Sequence, residues 1–296
     1  MSPAAVAFVT TVFVPLALML IMFSLGLTLA LRDFALLARN AKLVLAGLGG
    51  QLLLMPLLAL GVGILFRLPP ELALGLFILG ISPAGTTSNA LTFVGRGNVA
   101  LAVVLTALSS LITVFTIPLL LSWAIPHFLS GGGKVPELSV PQTMIQLVRV
   151  TVLPVAIGML VRHFAPGFAA RMARWLRPTA MVVLIVVIGF SVLISVDMVL
   201  QNVVRGGPPI FVLNVLATLA GLAIGRLIGA GARDSMTLAI EVGVHNVTLA
   251  IFITLSVLDS LPLAVMQNIY GVVMLLNASI LIRWYRGRVV AEERAE

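Results

Sequence analysis

One carboxylate, Glu241, lies in the middle of an apolar stretch, within the run Glu241-Val242-Gly243-Val244-His245-Asn246. A carboxylate at membrane depth costs a few kcal/mol, so it persists there only when paired, protonated or bound to a cation. The other half of the chain carries a second polar interruption of an apolar stretch, Ser82-Pro83-Ala84-Gly85-Thr86-Thr87-Ser88-Asn89. Proline removes a helix donor and glycine loosens the backbone there, and hydroxyl and amide side chains follow at once. Carboxylate, amide and hydroxyl oxygens together suit a hard cation. Donors at a freed helix N-terminus suit an anion.

The elements that must position these residues are membrane spans. Of the 296 residues, 60% are hydrophobic and only 9% charged, and mean hydropathy is +1.19. A soluble domain carries about a quarter charged residues. The chain therefore reads as an all-α polytopic membrane protein occupying residues 1–296 as a single transmembrane unit. No charge precedes Arg32, so the N-terminal stretch lacks the basic region of a cleaved signal peptide and reads as a true first span. The absence of cysteine excludes disulfides and thiolate metal sites. A pI near 11.4 does not point to nucleic acid, because the basic residues fall in loops, where they orient a membrane protein.

Hydropathy broken at Gly, Pro and charge predicts nine spans near 5–31, 43–66, 71–95, 98–124, 141–161, 178–200, 207–230, 235–258 and 262–282. An odd count puts the termini on opposite sides. One side then takes Arg32, Arg39, Lys42, Arg96, Arg162, Arg171, Arg174, Arg177, Arg226, Arg233, Arg283, Arg286, Arg288 and Arg294, and the other takes Arg67, Lys134 and Arg205. That bias places the C-terminus in the cytoplasm and the N-terminus outside, in the inner membrane of a bacterium-like cell.

With that threading, span three enters from outside and reaches Pro83 and Gly85 roughly 18–21 Å deep, while span eight enters from the cytoplasm and reaches Glu241 to Asn246 about 9–16 Å in. Interrupted spans at corresponding places in two halves are a pointer to a secondary transporter's binding site. Spans five to nine (residues 140–285) form a five-helix unit whose fourth member is broken. Spans one to four (residues 1–130) form the same unit without its first helix, inverted. Kinks that merely ease helix packing remain the plain alternative; an acid on the partner break weighs against it.

At these residues the chain resembles the bile acid:sodium symporter family. The matching stretches are Pro83 to Thr92, Arg96-Gly97-Asn98-Val99-Ala100-Leu101, Glu241 to Asn246, and Met22-Phe23-Ser24-Leu25-Gly26-Leu27-Thr28-Leu29. The resemblance implies a nine-span form with a panel of spans one, five and six and a core of spans two, three, four, seven, eight and nine, the broken helices crossing near the midplane. It implies sodium-coupled symport of an organic anion (bile-acid-like, pantoate-like or keto-acid) by alternating access, with no cofactor and no enzyme activity. Two sodium sites are implied. The first would use Ser88, Asn89, Thr106 and Glu241; the second Gln51, Glu241, backbone carbonyls near Val242 and Val244, and His245. Thr86, Thr87, Asn246, Gln267 and Asn268 would meet the substrate. Partners are thus Na⁺, a small organic anion and the lipid bilayer, and the protein is expected to act as a monomer.

Two residues depart from the family pattern. Ala102 stands where a serine often serves the first site, and His245 where a glutamine usually serves the second. Imidazole nitrogen is a poor sodium ligand but titrates near neutrality. A weakened second site, proton coupling through Glu241 and His245, and a plain hydrogen bond from His245 to an unwound carbonyl are all open on sequence alone. Arg149 is expected to snorkel to headgroups, and Asp197 to lie at the interface. An intramembrane enzyme would need a nucleophile–base pair or a metal cluster, for which one acid and one imidazole are thin support. A receptor that only binds would carry the same residues.

Overall fold

The computed structural model describes residues 2–35, 40–129 and 138–293. The connector Gly131-Gly132-Gly133-Lys134, and Arg39 and Arg294 of the charge count, lie outside the described residues, as does the side chain of Arg177. Within them the chain is helical: α1 Pro3–Gly26, α2 Ala41–Leu65, α3 Pro70–Ile81, α4 Thr86–Val94, α5 Val99–Leu129, α6 Val140–Phe164, α7 Pro166–Ile194, α8 Val196–Leu227, α9 Ala232–Gly243, α10 Val247–Val257 and α11 Leu261–Glu293. Among the described residues the one isolated extended pairing is an antiparallel bridge between Ala84 and His245.

By length and composition, six of these helices can cross a membrane, and seven when α7, bent by 40° around Pro178, counts as one rod. The helices α3 and α10 are apolar but shorter. Each is separated from a second short helix, α4 or α9, by an unwound segment, Ser82–Gly85 or Val244–Asn246. The protein is an integral, polytopic, all-helical membrane protein.

Three of the long helices contain a single π-helical turn: Val9–Phe13 in α1, Gly50–Leu54 in α2 and Val148–Val152 in α6. A proline follows each turn by two residues, at Pro15, Pro56 and Pro154. A mid-helix proline strands the carbonyl four residues back and crowds it. Widening the preceding turn relieves both problems and re-aims the side chains within it. Gln51 sits in one such turn and points inward, buried at 1% exposure.

The boundary between spans six and seven differs from expectation. The connector expected between them, residues 201–206, lies inside α8 together with Pro208 and Pro209, and the chain breaks instead at Ser195 (φ −129°, ψ 24°). Proline's fixed φ is helical, so a diproline is no barrier to a helix that has already begun. Asp197 consequently opens α8, exposed in its first turn, rather than closing the preceding span. Span one also ends early, its helix stopping at Gly26, while α11 extends past 282 to Glu293.

Helices α1, α6 and α7 pack on one another. A Cβ on Gly158 of α6 would lie 2.6 Å from the Phe23 carbonyl oxygen of α1, so this crossing depends on bare backbone. Helices α2, α3, α5, α8, α9 and α11 form the other packed group. The loop after α4 docks onto α9: Asn98 N–H donates to Thr237 Oγ1 at 2.7 Å, and its Nδ2 donates to Asp234 at 2.8 Å.

Candidate functional site

The helices α3 and α9 end where they meet, and their unwound segments bond to each other. Asn246 N–H donates to the Pro83 carbonyl at 2.8 Å, beside the Ala84–His245 bridge. The His245 ring spans both breaks, with Nδ1 2.6 Å from the Ser82 carbonyl oxygen and Nε2 3.0 Å from the Val242 carbonyl oxygen. A neutral imidazole owns one N–H, so it donates to one of these carbonyls at a time; the bonded one would otherwise be orphaned in a dry interior, at about 1–3 kcal/mol. Of the roles open to His245 on sequence, the geometry displays the carbonyl-bonding one: the imidazole pins one break to the other.

Glu241 is fully buried one turn before the second break. Its Oε2 accepts from Gln51 Nε2 at 3.2 Å and lies 3.1 Å from Thr106 Oγ1. The same Thr106 hydroxyl lies 3.3 Å from Asn89 Oδ1. Ser88 also faces the Glu241 carboxyl group, while its hydroxyl lies 2.7 Å from the Gly85 carbonyl. A hydroxyl owns a single hydrogen, so Thr106 Oγ1 can serve Glu241 Oε2, which Gln51 also serves, or Asn89 Oδ1, but not both. Two further buried acceptors here, Glu241 Oε1 and Gln51 Oε1, have no partner. An oxygen-rich cluster of this kind suits a cation in its chemistry. The structure thus brings together Gln51, Ser88, Asn89, Thr106 and Glu241, drawn from α2, α4, α5 and α9. Ala102, buried one turn earlier on α5, adds no oxygen. Val242 lends its carbonyl to His245, and Val244 is buried and extended, its N–H donating to Ile240.

Asn246 caps α10, its Oδ1 accepting Leu249 N–H at 3.0 Å. Its buried Nδ2 has no partner. That spare donor at a helix N-terminus matches an anion in chemistry as the spare oxygens match a cation.

A cavity of about 290 Å³ lies between α1, α7 and the α4–α5 pair, lined among others by Ser24, Thr28, Thr86, Asn89, Phe93 and Met181. Of the five residues expected at the substrate, Thr86 reaches it. Thr87, Asn246, Gln267 and Asn268 are buried outside its lining. Gln267 Nε2 donates to the Gly75 carbonyl of α3 at 3.0 Å and Asn268 Nδ2 to Ser195 Oγ at 3.4 Å, while Gln267 Oε1 and Asn268 Oδ1 stay unpartnered. Arg149 is exposed in the π turn of α6.

Three residues that sequence reasoning passed over hold the second break from behind. The Gly243 carbonyl accepts from Asn214 Nδ2 at 2.7 Å and from Tyr270 Oη at 2.9 Å, and Asn277 Nδ2 donates to Asn214 Oδ1 at 2.8 Å. Their signal was an isolated amide in each of two apolar spans.

The sequence matches the Sodium Bile acid symporter family over residues 15–202. Similar proteins include the "Uncharacterized sodium-dependent transporter YocS" of Bacillus subtilis, 29% identical across 88% of this chain and 80% of that protein. The "Probable sodium/metabolite cotransporter BASS2, chloroplastic" of Oryza sativa is 29% identical across 97% of this chain and 67% of its own length. The "Ileal sodium/bile acid cotransporter" of Oryctolagus cuniculus is 26% identical across 83% of this chain and 70% of its own. The family match stops before α9, but the Oryza alignment spans nearly the whole chain, second break included. Interrupted helices, a buried oxygen cluster and a family match over more than half the chain converge: the chain belongs to the Sodium Bile acid symporter family, among transport proteins rather than enzymes.

Proposed function

We propose that this protein is a secondary active transporter that carries a small organic anion inward with Na⁺. The observation that carries the reading is the buried oxygen cluster around Glu241, in which five oxygens from four helices converge with too few hydrogens to satisfy them. Na⁺ prefers oxygen ligands. A bound cation also offsets the few kcal/mol that an uncompensated carboxylate costs at this depth. The relatives named as sodium-dependent transporters support the choice of ion.

In this reading the two interrupted rods each cross the bilayer, which gives nine spans, an inverted four-plus-five repeat, an external N-terminus and a cytoplasmic C-terminus. Helices α1, α6 and α7 form the panel and the remainder the core. The 290 Å³ cavity at their junction, reached by Thr86 and Asn89, is the inward-open substrate path. The closed outer end is where α10 meets α1, Ser256 Oγ donating to the Thr10 carbonyl at 2.5 Å. Cation binding draws α2, α4, α5 and α9 together, which orders the break whose N-terminal donors face the anion. The coupling is reciprocal: substrate must tighten Na⁺ by the factor by which Na⁺ tightens substrate.

The test is thermal unfolding of purified protein in NaCl against KCl, followed by uptake of bile-acid-like, pantoate-like and keto-acid anions into proteoliposomes. A Na⁺-specific rise in the unfolding midpoint and Na⁺-dependent uptake are expected. Uptake driven by a proton gradient at zero Na⁺ would establish proton coupling through Glu241 and His245 instead. The chain has no cysteine, so Thr10→Cys with Ser256→Cys is a clean cross-link. Oxidation of that pair should stop uptake and reduction restore it. Uptake indifferent to the cross-link would overturn rocking of core against panel.

A further inference from the structure

A second cavity, about 820 Å³, lies away from the cation cluster, where the chain leaving α1 meets the turn between α6 and α7. Three basic side chains, Arg32, Arg162 and His163, line it together with Leu31, Leu160 and Phe164. Leu29 at its inner end is buried, but three large apolar lining residues face outward: Leu31 is 75%, Leu160 55% and Phe164 80% exposed. Phe168 and Trp175 are also exposed nearby on α7, and aromatic side chains concentrate where hydrocarbon meets headgroups.

Arg162 is fixed in place, one Nη1 donating to the Leu27 carbonyl just past the end of α1 at 3.2 Å. A guanidinium has five donors in a fork suited to phosphate, so one bond to backbone leaves others for a ligand. The neighbouring acid, Asp33, is engaged with the Ala30 N–H at 2.7 Å. Basic groups at the rim and hydrocarbon on the outward wall match one ligand that is anionic at one end and apolar at the other. A free phosphate would use the rim and leave that wall idle.

We propose that this cavity binds an anionic phospholipid of the cytoplasmic leaflet, its phosphate between Arg32, Arg162 and His163 and its acyl chains along Leu31, Leu160 and Phe164. The leaflet follows from the orientation given under the proposed function; the binding chemistry does not depend on it or on transport. Basic pockets between membrane helices on the cytoplasmic side hold acidic headgroups in this way. The lipid would brace the corner where α1, α6 and α7 join, the part of the molecule proposed to stay still while the core moves.

The test is thermal unfolding of the whole purified protein in a neutral detergent, with added phosphatidylglycerol, phosphatidylcholine of the same acyl chains, or inorganic phosphate. Phosphatidylglycerol should raise the midpoint by roughly 5 °C, and the other two should not. Arg32→Ala with His163→Ala, which leaves the Arg162–Leu27 bond in place, should remove more than half of that increment. Arg226→Ala with Arg286→Ala, an equal number of exposed basic residues outside the cavity, should keep it. Equal stabilisation by phosphatidylcholine, a shift reproduced by phosphate alone, or an increment that survives the cavity variant would each overturn the site. A protein that binds no Na⁺ yet shows the lipid shift would sink the sodium-coupled reading and leave this one standing.

Discussion

The first break, at Ser82–Gly85, carries no ionisable side chain, and two of its carbonyls face its partner, Ser82 towards His245 and Pro83 bonded to the Asn246 N–H, while Gly85 is held locally by Ser88. The second break carries His245, has Glu241 one turn before it, and is held from three sides. Gln51 and Thr106 reach Glu241, Asn214 and Tyr270 hold the Gly243 carbonyl, and His245 turns back on Val242. One interruption is therefore anchored to the rest of the molecule, and the other is anchored mainly to that interruption. The difference teaches where cation binding has leverage. On the proposed reading, charge placed beside the anchored break would tighten it directly, and the first break would follow through His245 and through Ser88 and Asn89 on α4.

The sharpest way to break this asymmetry is Glu241→Gln, which keeps the shape and removes the charge. Loss of a charged interaction costs about 1.5–3 kcal/mol, so Na⁺ binding should weaken by roughly ten- to hundredfold. The corresponding change on the first-break side, Asn89→Ala, removes one neutral oxygen and should weaken Na⁺ about fivefold. Sodium titrations followed by unfolding midpoint measure both. Equal losses would erase the distinction between the breaks.

Next comes the pin. His245→Ala removes the one N–H that the neutral ring offers the Ser82 and Val242 carbonyls and leaves a buried void, and should destabilise the protein by about 2–4 kcal/mol. Ser82→Ala removes only a hydroxyl bonded to Ile78 O within α3, at 2.8 Å, and should cost under about 1 kcal/mol. A His245→Ala protein as stable as Ser82→Ala would show that the first break has anchors of its own.

How much of this was legible follows from what periodicity encodes. Glu241 and the Pro83–Asn89 run stand out because charge, proline and hydroxyls are out of place in hydrocarbon, and their depth follows from helical rise. The azimuth of a side chain does not. Gln267 and Asn268 read as cavity residues, but their donors turn to the Gly75 carbonyl and Ser195. Asn214, Tyr270 and Asn277 went unseen because a lone polar group on an unbroken apolar helix looks like ordinary interhelical contact. The sixth boundary was misplaced because Gln201, Asn202, Arg205 and Gly206 interrupt the hydropathy, yet that stretch stays wound within α8.

The Gly243 clamp sharpens the comparison further. Asn214→Ala or Tyr270→Phe alone leaves one donor on that carbonyl and should cost about 1 kcal/mol. Together they orphan a buried oxygen, so the double variant should lose more than the sum of the singles, by about 0.5–1 kcal/mol. Simple additivity in thermal unfolding would mean that water or another donor replaces them.

The smallest effect on stability is expected at Asn246, and it separates the cap from the anion. Serine caps a helix about as well as asparagine, so Asn246→Ser should keep the bond to Leu249 N–H and change stability by less than about 0.5 kcal/mol. It deletes the Nδ2 donor that has no partner in the protein. If that donor meets the substrate, the apparent KM for the anion should rise severalfold while Na⁺ stabilisation of the substrate-free protein stays put. A variant with unchanged KM would make Asn246 a cap alone and leave anion recognition to Thr86 and the hydroxyls of the inner cavity. The second break would then serve the cation only, and the division of labour between the two interruptions would be complete.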